Sequence, residues 1–485
     1  MEGSGSVDVY DGTKLALKGL VVVTVNYRLG ALGFLAHPEL SADSPQHVSG
    51  NYGLLDAVAS LQWLKDNIAS FGGDPGKVTI GGQSAGSGLV HNLSESPIAR
   101  GLFRGAVAES GTSLVSIPMK TLAEAEKDGI EFANSRNAHS LDELRKLPAE
   151  DLVPPPGSPR VLRFAPVLDG WAIPDSPLKV SEEGKANDVP LLTGMQADEG
   201  SGNSRSYGKV PADEWHKQVK ERYGDLTEKF NELYPSPDDA APSIAQKASA
   251  RERGQAGMYL WCSRVFNKQK GKIYTYYFNQ AIPWPEHPEF QAFHTGEMVY
   301  ILSNLEHLPR PFTDVDRAVA AITSGYLVHF VRTGDPNGKG LPKWGAFTPD
   351  PPATLDMSRQ NLGAPLNVGM PITNESPKMC EGDNLPSNIL LILVPLMPNL
   401  SSAVLVLLVR FSISQMDVPT RQSYTMAVVS AEERSAAAGI TGVARTTGAA
   451  ISPLFVGFMF ARPSLINAPF FIAGAAENHL RPFTL

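Results

Sequence analysis

Cysteine is almost absent from this sequence, which has two cysteines, Cys262 and Cys380, in 485 residues. Two cysteines so far apart cannot cross-link a small disulfide scaffold, and neither stands in a C-x-x-C metal spacing, so both are predicted to be free thiols. An excess of basic residues is also absent, because 42 Lys and Arg face 50 Asp and Glu, giving a net charge of −8. This balance excludes an obvious nucleic-acid-binding surface.

The first residues of the chain lack the features of a secretory signal. Residues 1–6 contain neither a basic region nor the start of an apolar core. We therefore expect a protein without a signal peptide, cytoplasmic or associated with a membrane through its C-terminal segment. The composition is that of a folded protein, with 42% hydrophobic and 19% charged residues.

Short apolar runs alternate with helical patterns through residue 278. The run 19–26 is continuously apolar and β-branched, which is typical of a strand buried on both faces of a parallel sheet. Residues 53–70 have apolar side chains at helical spacing and end before Gly72 and Gly73. The alternation predicts an α/β fold with a mostly parallel sheet and charged helical inserts forming a cap or side layer. Further strands are predicted at 77–82, 105–110, 189–194 and 272–278, a helix from Ala85, and inserts at 120–150 and 205–270.

The composition changes near residue 370. Residues 363–384 are rich in Pro, Gly and Asn, which is typical of a linker. Two later segments, 389–409 and 436–460, carry almost no charge and are long enough for a bilayer core, which needs about 20 residues. We expect hydrophobic helices there, with membrane association through 388–460; buried soluble helices are the alternative. The predicted units are an α/β domain at 1–370, a linker at 371–384, hydrophobic helices at 385–475 and a tail at 476–485.

A Gly-x-Ser-x-Gly pentapeptide occupies residues 82–86, between a predicted strand and a predicted helix. The pentapeptide alone is a weak signal, but a nucleophilic serine requires this strand–turn–helix context. The flanking glycines allow a sharp turn that lifts Ser84 above the C-terminal edge of the sheet. Ser84 is therefore predicted to be a nucleophile; the alternative is a glycine-rich turn without chemistry.

The wider segment 71–86, FGGDPGKVTIGGQSAG, closely resembles the signature of type-B carboxylesterases. Residues 26–34 and 51–56 resemble the same family's block between the preceding strands, and the similarity runs from about residue 2 to about residue 367. The resemblance implies an α/β-hydrolase fold, a small-molecule ester substrate, and no metal or organic cofactor. It also implies that Arg28 and Asp56 form a structural ion pair.

The resemblance also implies the rest of a catalytic triad. A serine hydroxyl needs an imidazole to take its proton, and the imidazole needs a carboxylate to hold its tautomer. In this fold the chain order is Ser, acid, His. The Asp-Glu-Gly at 198–200 implies Glu199 as the acid, with Asp198 as its rival. The block 293–297 implies His294 as the base, with His287 as the runner-up.

Two further residues receive roles beside the triad. Ala85 follows the nucleophile, so its backbone N–H is predicted to serve the oxyanion hole. Ser110 resembles the family's serine that hydrogen-bonds the triad acid; a serine at a strand end without that role is an equal alternative. Gln83 stands where cholinesterases carry Glu, which disfavours choline esters as substrates.

The predicted function is a serine carboxylesterase that works through an acyl-enzyme. In the family, further oxyanion donors lie on a His-Gly-Gly-Gly loop, and aligning residues 7–12 puts that loop and the early strands before Met1. We therefore expect a sheet truncated at its N-terminal edge. Hydrolysis of short acyl esters is expected to be weak or absent, since losing one donor costs about 10²–10³ in turnover. The alternatives are a catalytically inactive binding module of the same fold and a transporter-fused gene fragment.

The C-terminal region carries a second resemblance. Residues 415–429 and 432–442 resemble the late transmembrane helices and intervening loop of major-facilitator transporters, a likeness that covers about 385–475. Such transporters build their substrate site between two whole halves, so a few helices cannot form a transport path. Transport is therefore not predicted.

Overall fold

The computed structural model describes residues 4–112, 119–153, 164–204, 206–237, 241–350, 353–358 and 365–366. These residues fold around a six-stranded sheet whose strand order follows the chain order. The first five strands are parallel, and the sixth pairs antiparallel with the fifth. The strands are β1 (Thr79–Gln83), β2 (Gly105–Glu109), β3 (Leu191–Gln196), β4 (Ile273–Phe278), β5 (Thr354–Met357) and β6 (Pro365–Leu366).

Four of the predicted strands are confirmed within about two residues, as β1, β2, β3 and β4. Each is a short apolar run that ends at a turn, so the local pattern was sufficient to find it. β5 and β6 were not predicted. They contain four and two residues, too few to show a periodic pattern.

The strand predicted at 19–26 is wrong. This segment is assigned to no strand, and none of its residues is fully buried. Val21 and Val23 are 47% and 45% exposed. β-Branched side chains favour an extended backbone, but a strand also requires hydrogen bonds from a neighbour. Within the described residues no strand pairs with this segment.

Helices connect and flank the strands in the order expected for an α/β fold. The long predicted helix at 53–70 is observed as α4 followed by a 3₁₀ turn. The helices of the described residues are α1 (Thr13–Ala16), α2 (Gly30–Phe34), α3 (Pro38–Asp43), α4 (Tyr52–Asn67), α5 (Ala85–Glu95), α6 (Leu122–Asn134), α7 (Leu141–Arg145), α8 (Ala149–Leu152), α9 (Pro177–Glu182), α10 (Ala212–Tyr223), α11 (Thr227–Leu233), α12 (Ala241–Val265), α13 (Met298–Ile301) and α14 (Asp314–Thr333).

The sheet is buried on both faces. Ala106 and Ala108 of β2 join one apolar cluster, and Val107 between them joins the other, as the alternation of a strand requires. The first cluster includes side chains of α4, α5 and α12, and the second includes side chains of α14. The C-terminal ends of the parallel strands therefore sit at one edge of a rigid, covered sheet, where ligands bind in such folds.

The two predicted inserts are helical, but the second is more than a side layer. The C-terminal half of α12 places Met258, Trp261 and Cys262 in the main core beside β3. Cys262 is a buried free thiol, as predicted, and burial raises its pKa. Most charged residues of this insert precede residue 254, in α10, α11 and the N-terminal half of α12.

The predicted linker, hydrophobic helices and tail at 371–485 lie outside the described residues, as does Cys380. Among the helices of the described ranges, none has both the length and the apolar character that crossing a bilayer requires. Membrane association through 388–460 remains a prediction from the sequence.

Candidate active site

Ser84 occupies a sharp turn between β1 and α5. Its backbone has φ 57° and ψ −114°, a conformation that costs a non-glycine residue about 1–3 kcal/mol. Two backbone hydrogen bonds hold it, from Ser84 N to Glu109 O at 2.8 Å and from Gly88 N to Ser84 O at 3.1 Å. A Cβ on Gly82 would lie 2.4 Å from the backbone of Gly86. Glycine at position 82 is thus required for the turn that presents Ser84 at the strand end.

The side chains of Ser84, His294 and Glu199 form one hydrogen-bonded chain. His294 Nε2 lies 2.7 Å from Ser84 Oγ, and His294 Nδ1 hydrogen-bonds Glu199 Oε2. The other carboxylate oxygen, Glu199 Oε1, accepts a hydrogen bond from Gln196 N at 2.8 Å. These contacts fix the carboxylate, the imidazole and the hydroxyl in sequence, although the residues are up to 210 positions apart.

The loops that carry the acid and the imidazole are joined by backbone pairing. Asp198 and Phe293 form an isolated parallel bridge, in which Asp198 N donates to Ala292 O at 2.9 Å. Each bridge residue directly precedes a member of the chain of hydrogen bonds, Glu199 or His294. The spacing of the carboxylate and the imidazole is therefore set by the backbone, with little dependence on side-chain freedom.

The electrostatic environment of His294 favours its protonated form. Burial opposes the charged imidazolium, but the hydrogen bond and the negative charge of Glu199 outweigh burial, so the pKa of His294 lies above its ordinary value. The charge of Glu297, when that carboxyl group is ionised, acts in the same direction. The side chains remain partly accessible, with 19% of His294 and 26% of Glu199 exposed. The site is consequently open to a substrate while its proton acceptor is stabilised as a cation.

Ala85 is the first residue of α5, so its backbone N–H has no acceptor within the helix. The residue is exposed and adjoins Ser84. An N–H at this position, together with the positive end of the helix dipole, favours negative charge near Ser84. Within the described residues there is no cluster of three or more His, Cys, Asp or Glu side chains that could hold a metal ion.

Known proteins share the sequence pattern and the fold of this chain. The model of the carboxylesterase family matches residues 1–370. The chain belongs to the carboxylesterase family. A solved carboxylesterase of Geobacillus stearothermophilus superposes with a TM-score of 0.63 at 29% identity, covering 76% of this chain and 78% of that one. The expected α/β-hydrolase fold with its parallel sheet is therefore shown.

Two curated relatives of this carboxylesterase-family chain are named as esterases. The fumonisin B1 esterase of Sphingopyxis macrogoltabida is 36% identical over 310 residues, which cover 62% of this chain and 56% of the relative. The para-nitrobenzyl esterase of Bacillus subtilis is 32% identical over 374 residues, covering 73% and 72%. The chain thus spans about half of the first relative's length and nearly three quarters of the second's. The transporter-like segment has no support from these comparisons.

Asp198, the rival acid, does not reach His294 in this carboxylesterase-family fold. Its side chain is 1% exposed. It accepts hydrogen bonds from Arg251 Nη2 at 2.7 and 2.9 Å and from the Tyr207 hydroxyl at 3.0 Å. Both oxygens are therefore occupied by a buried ion pair. His287, the rival base, stacks on Phe290 instead of contacting Ser84.

Ser110 makes a hydrogen bond to a glutamate other than the expected one. Ser110 Oγ donates to Glu297 Oε1 at 3.1 Å, whereas the family resemblance implies a hydrogen bond to the triad acid. Glu297 lies three residues after His294, at the N-cap of α13, and is completely buried. No role was predicted for it, since nothing in the local pattern distinguishes it from a helix-start glutamate. The one feature of the sequence that could have drawn attention to Glu297 is its position three residues after the candidate base His294.

Two other expectations concern residues near the site. Gln83 Nε2 lies 3.4 Å from His294 Nε2, so the residue before the nucleophile contacts the imidazole. Arg28 and Asp56 form the ion pair implied by the resemblance, with Arg28 Nη2 2.7 Å from Asp56 Oδ1 and Nε 2.9 Å from Oδ2. Half of the Arg28 side chain is exposed, so this pair contributes little to stability.

Proposed function

We propose that this chain is a serine carboxylesterase that hydrolyses small-molecule carboxylic esters through Ser84, His294 and Glu199. The observation that carries the proposal is the continuous hydrogen-bond chain from the Ser84 hydroxyl through the imidazole to the Glu199 carboxylate. A nucleophile, a base and an orienting acid in this order are what acyl transfer requires. Family membership and the esterases among the relatives support the same reaction.

The first half of the proposed reaction forms an acyl-enzyme. Ser84 Oγ attacks the ester carbonyl while His294 Nε2 takes its proton, and Glu199 stabilises the resulting imidazolium. The carbonyl electrons move to the oxygen, whose negative charge the Ala85 N–H stabilises. When the tetrahedral adduct collapses, the bond to the alkoxy group breaks. His294 returns the proton to that group, which leaves as the alcohol.

The second half repeats these steps with water. His294 takes a proton from a water molecule, whose oxygen attacks the acyl carbon. Collapse of the second adduct breaks the bond to Ser84 Oγ, and the proton on His294 returns to the serine. The carboxylic acid leaves and the site is restored. One ester and one water thus yield one alcohol and one acid, with no oxidant or cofactor consumed.

The experiment that tests this proposal compares hydrolysis of p-nitrophenyl acetate by the full chain and by Ser84→Ala. We expect slow turnover by the wild type, in line with the sequence prediction, and only the background rate measured without protein in Ser84→Ala. Ser87→Ala is the matched control, because its hydroxyl is buried three residues further on without a hydrogen-bond partner among the described residues. Turnover that survives in Ser84→Ala would assign the activity to another group.

A further inference from the structure

Across the sheet, four residues in register line up beneath the site. Gln83, Glu109, Gly194 and Tyr276 are successive partners on β1, β2, β3 and β4, so their side chains share one face. Gln83 contacts His294 at one end of this row. Gly194 has no side chain, and a Cβ there would lie 2.3 Å from the Tyr276 ring. The Tyr276 ring therefore fills the space above Gly194, next to Glu109.

Glu297 approaches the same region from the histidine loop. Its Oε1 accepts the hydrogen bond from Ser110, the residue that follows Glu109. Its Oε2 and the Tyr276 hydroxyl make no hydrogen bond of good geometry within the described ranges. Burial raises the pKa of Glu297, and the nearby Gln196 side chain lowers it by a smaller amount. Glu109 is 4% exposed and Glu297 is fully buried. Two buried carboxyl groups therefore lie near the site, one on the strand that pairs with the strand leading to Ser84 and one three residues after His294.

No cation compensates these two carboxyl groups among the described residues. The charged groups that act on Glu297 are Glu109 and Glu199, together with His294 when protonated. The other titratable side chains facing the pair are the phenols of Tyr276 on β4 and Tyr326 on α14. Burial raises the pKa of Glu109 and of Glu297, and the negative charges of Glu109 and Glu199 raise that of Glu297 further.

We propose that Glu109 and Glu297 form a proton-holding carboxyl pair that limits the negative charge facing His294. The proposal rests on the esterase function above. Glu199 is then the main anion acting on the imidazole at neutral pH. A second anion at Glu297 would stabilise the imidazolium and leave less of the neutral base that attack by Ser84 requires. Both glutamates are positioning residues, since neither touches Ser84.

The pair predicts a shift that depends on both glutamates. Within the pair, Glu109 ionises first, and its charge keeps the proton on Glu297. In Glu109→Gln that charge is gone, so Glu297 ionises at lower pH and places negative charge beside His294. The apparent pKa below which kcat/KM for p-nitrophenyl acetate declines is expected to rise by about 1 pH unit. Glu297→Gln and the double variant are expected to show no upward shift, because the group that ionises is gone. An unshifted limb in Glu109→Gln, or the same shift in the double variant, would overturn the proposal.

A second readout does not depend on activity. Burial raises the pKa of both carboxyl groups in the folded state, so between the unfolded and the folded pKa the folded protein binds more protons than the unfolded chain. The free energy of unfolding therefore decreases as pH rises through this range. Urea unfolding from about pH 5 to about pH 8 should show a decline in stability that is smaller in Glu109→Gln/Glu297→Gln. The control Glu131→Gln, at an exposed site on α6, should keep the wild-type decline.

The two readouts separate failure of the pair from failure of the esterase. If Ser84 makes no difference to hydrolysis but the double variant flattens the stability profile, the carboxyl pair stands and the proposed function falls. If hydrolysis depends on Ser84 but neither profile changes, the pair is refuted and the esterase stands.

Discussion

Glu199→Gln is expected to lower kcat/KM for ester hydrolysis by about 10³–10⁴, since an amide cannot hold the imidazole in the tautomer that accepts the serine proton. Gln has nearly the shape of Glu, so the chain should fold and bind ester as before. The loss should therefore appear in kcat, with little change in the urea midpoint. Glu199 is partly exposed, which further limits any effect on stability.

The same substitution should move the pH profile. In the wild type, Glu199 raises the pKa of His294 above its ordinary value. Activity needs the neutral imidazole, so kcat/KM should fall as pH drops through a pKa above about 6.5. Without the carboxylate, residual activity should persist to lower pH. A limb that stays in place in Glu199→Gln would show that this carboxylate does not act on His294.

Arg251→Leu is expected to lower the free energy of unfolding by about 3 kcal/mol, at the low end for breaking a buried ion pair because the Arg251 side chain is 38% exposed. The substitution removes the three hydrogen bonds that Nε and Nη2 donate to the buried Asp198 carboxylate. That carboxylate then keeps only the Tyr207 hydroxyl as a side-chain donor. Urea unfolding measures the loss.

Arg28→Leu provides the matched control, since it breaks an ion pair of similar geometry at an exposed position. Its expected cost is below about 1 kcal/mol. Equal costs for Arg28→Leu and Arg251→Leu would contradict the structural role given to Asp198. Because Asp198 directly precedes Glu199, the contrast also separates two adjacent carboxylates, one holding the loop and one serving the imidazole.

The central part of the fold was predictable because its signals are local. Around Ser84, a buried strand, a glycine turn and the N-terminus of a helix all lie within about ten residues, and each has a recognisable sequence pattern. The strand predicted at 19–26 shows the limit of such patterns. Its valines favour an extended chain, but whether a neighbour pairs with it is a property of the whole fold. The opposite holds for β5, whose four residues carry no recognisable strand pattern but form a strand by pairing with β4.

The candidate site divides in the same way. Ser84 follows from its own turn, and Glu199 and His294 were assigned by family resemblance and then found within hydrogen-bond reach. The Ser110–Glu297 contact joins residues 187 positions apart. No local pattern links them. Glu109 and Glu297 could be recognised as a pair only once the register of β1 to β4 and the path of the histidine loop were known.

Labelling with a fluorophosphonate tests the central claim most directly, because covalent capture requires a serine activated by its imidazole but no full turnover. The account predicts that the full-length protein is modified at Ser84, found by mass spectrometry of the peptide that spans 78–100. The same peptide should be unmodified in His294→Gln and labelled normally in His287→Gln. Absence of label on Ser84 in the folded wild type, or equal labelling in His294→Gln, would contradict the account.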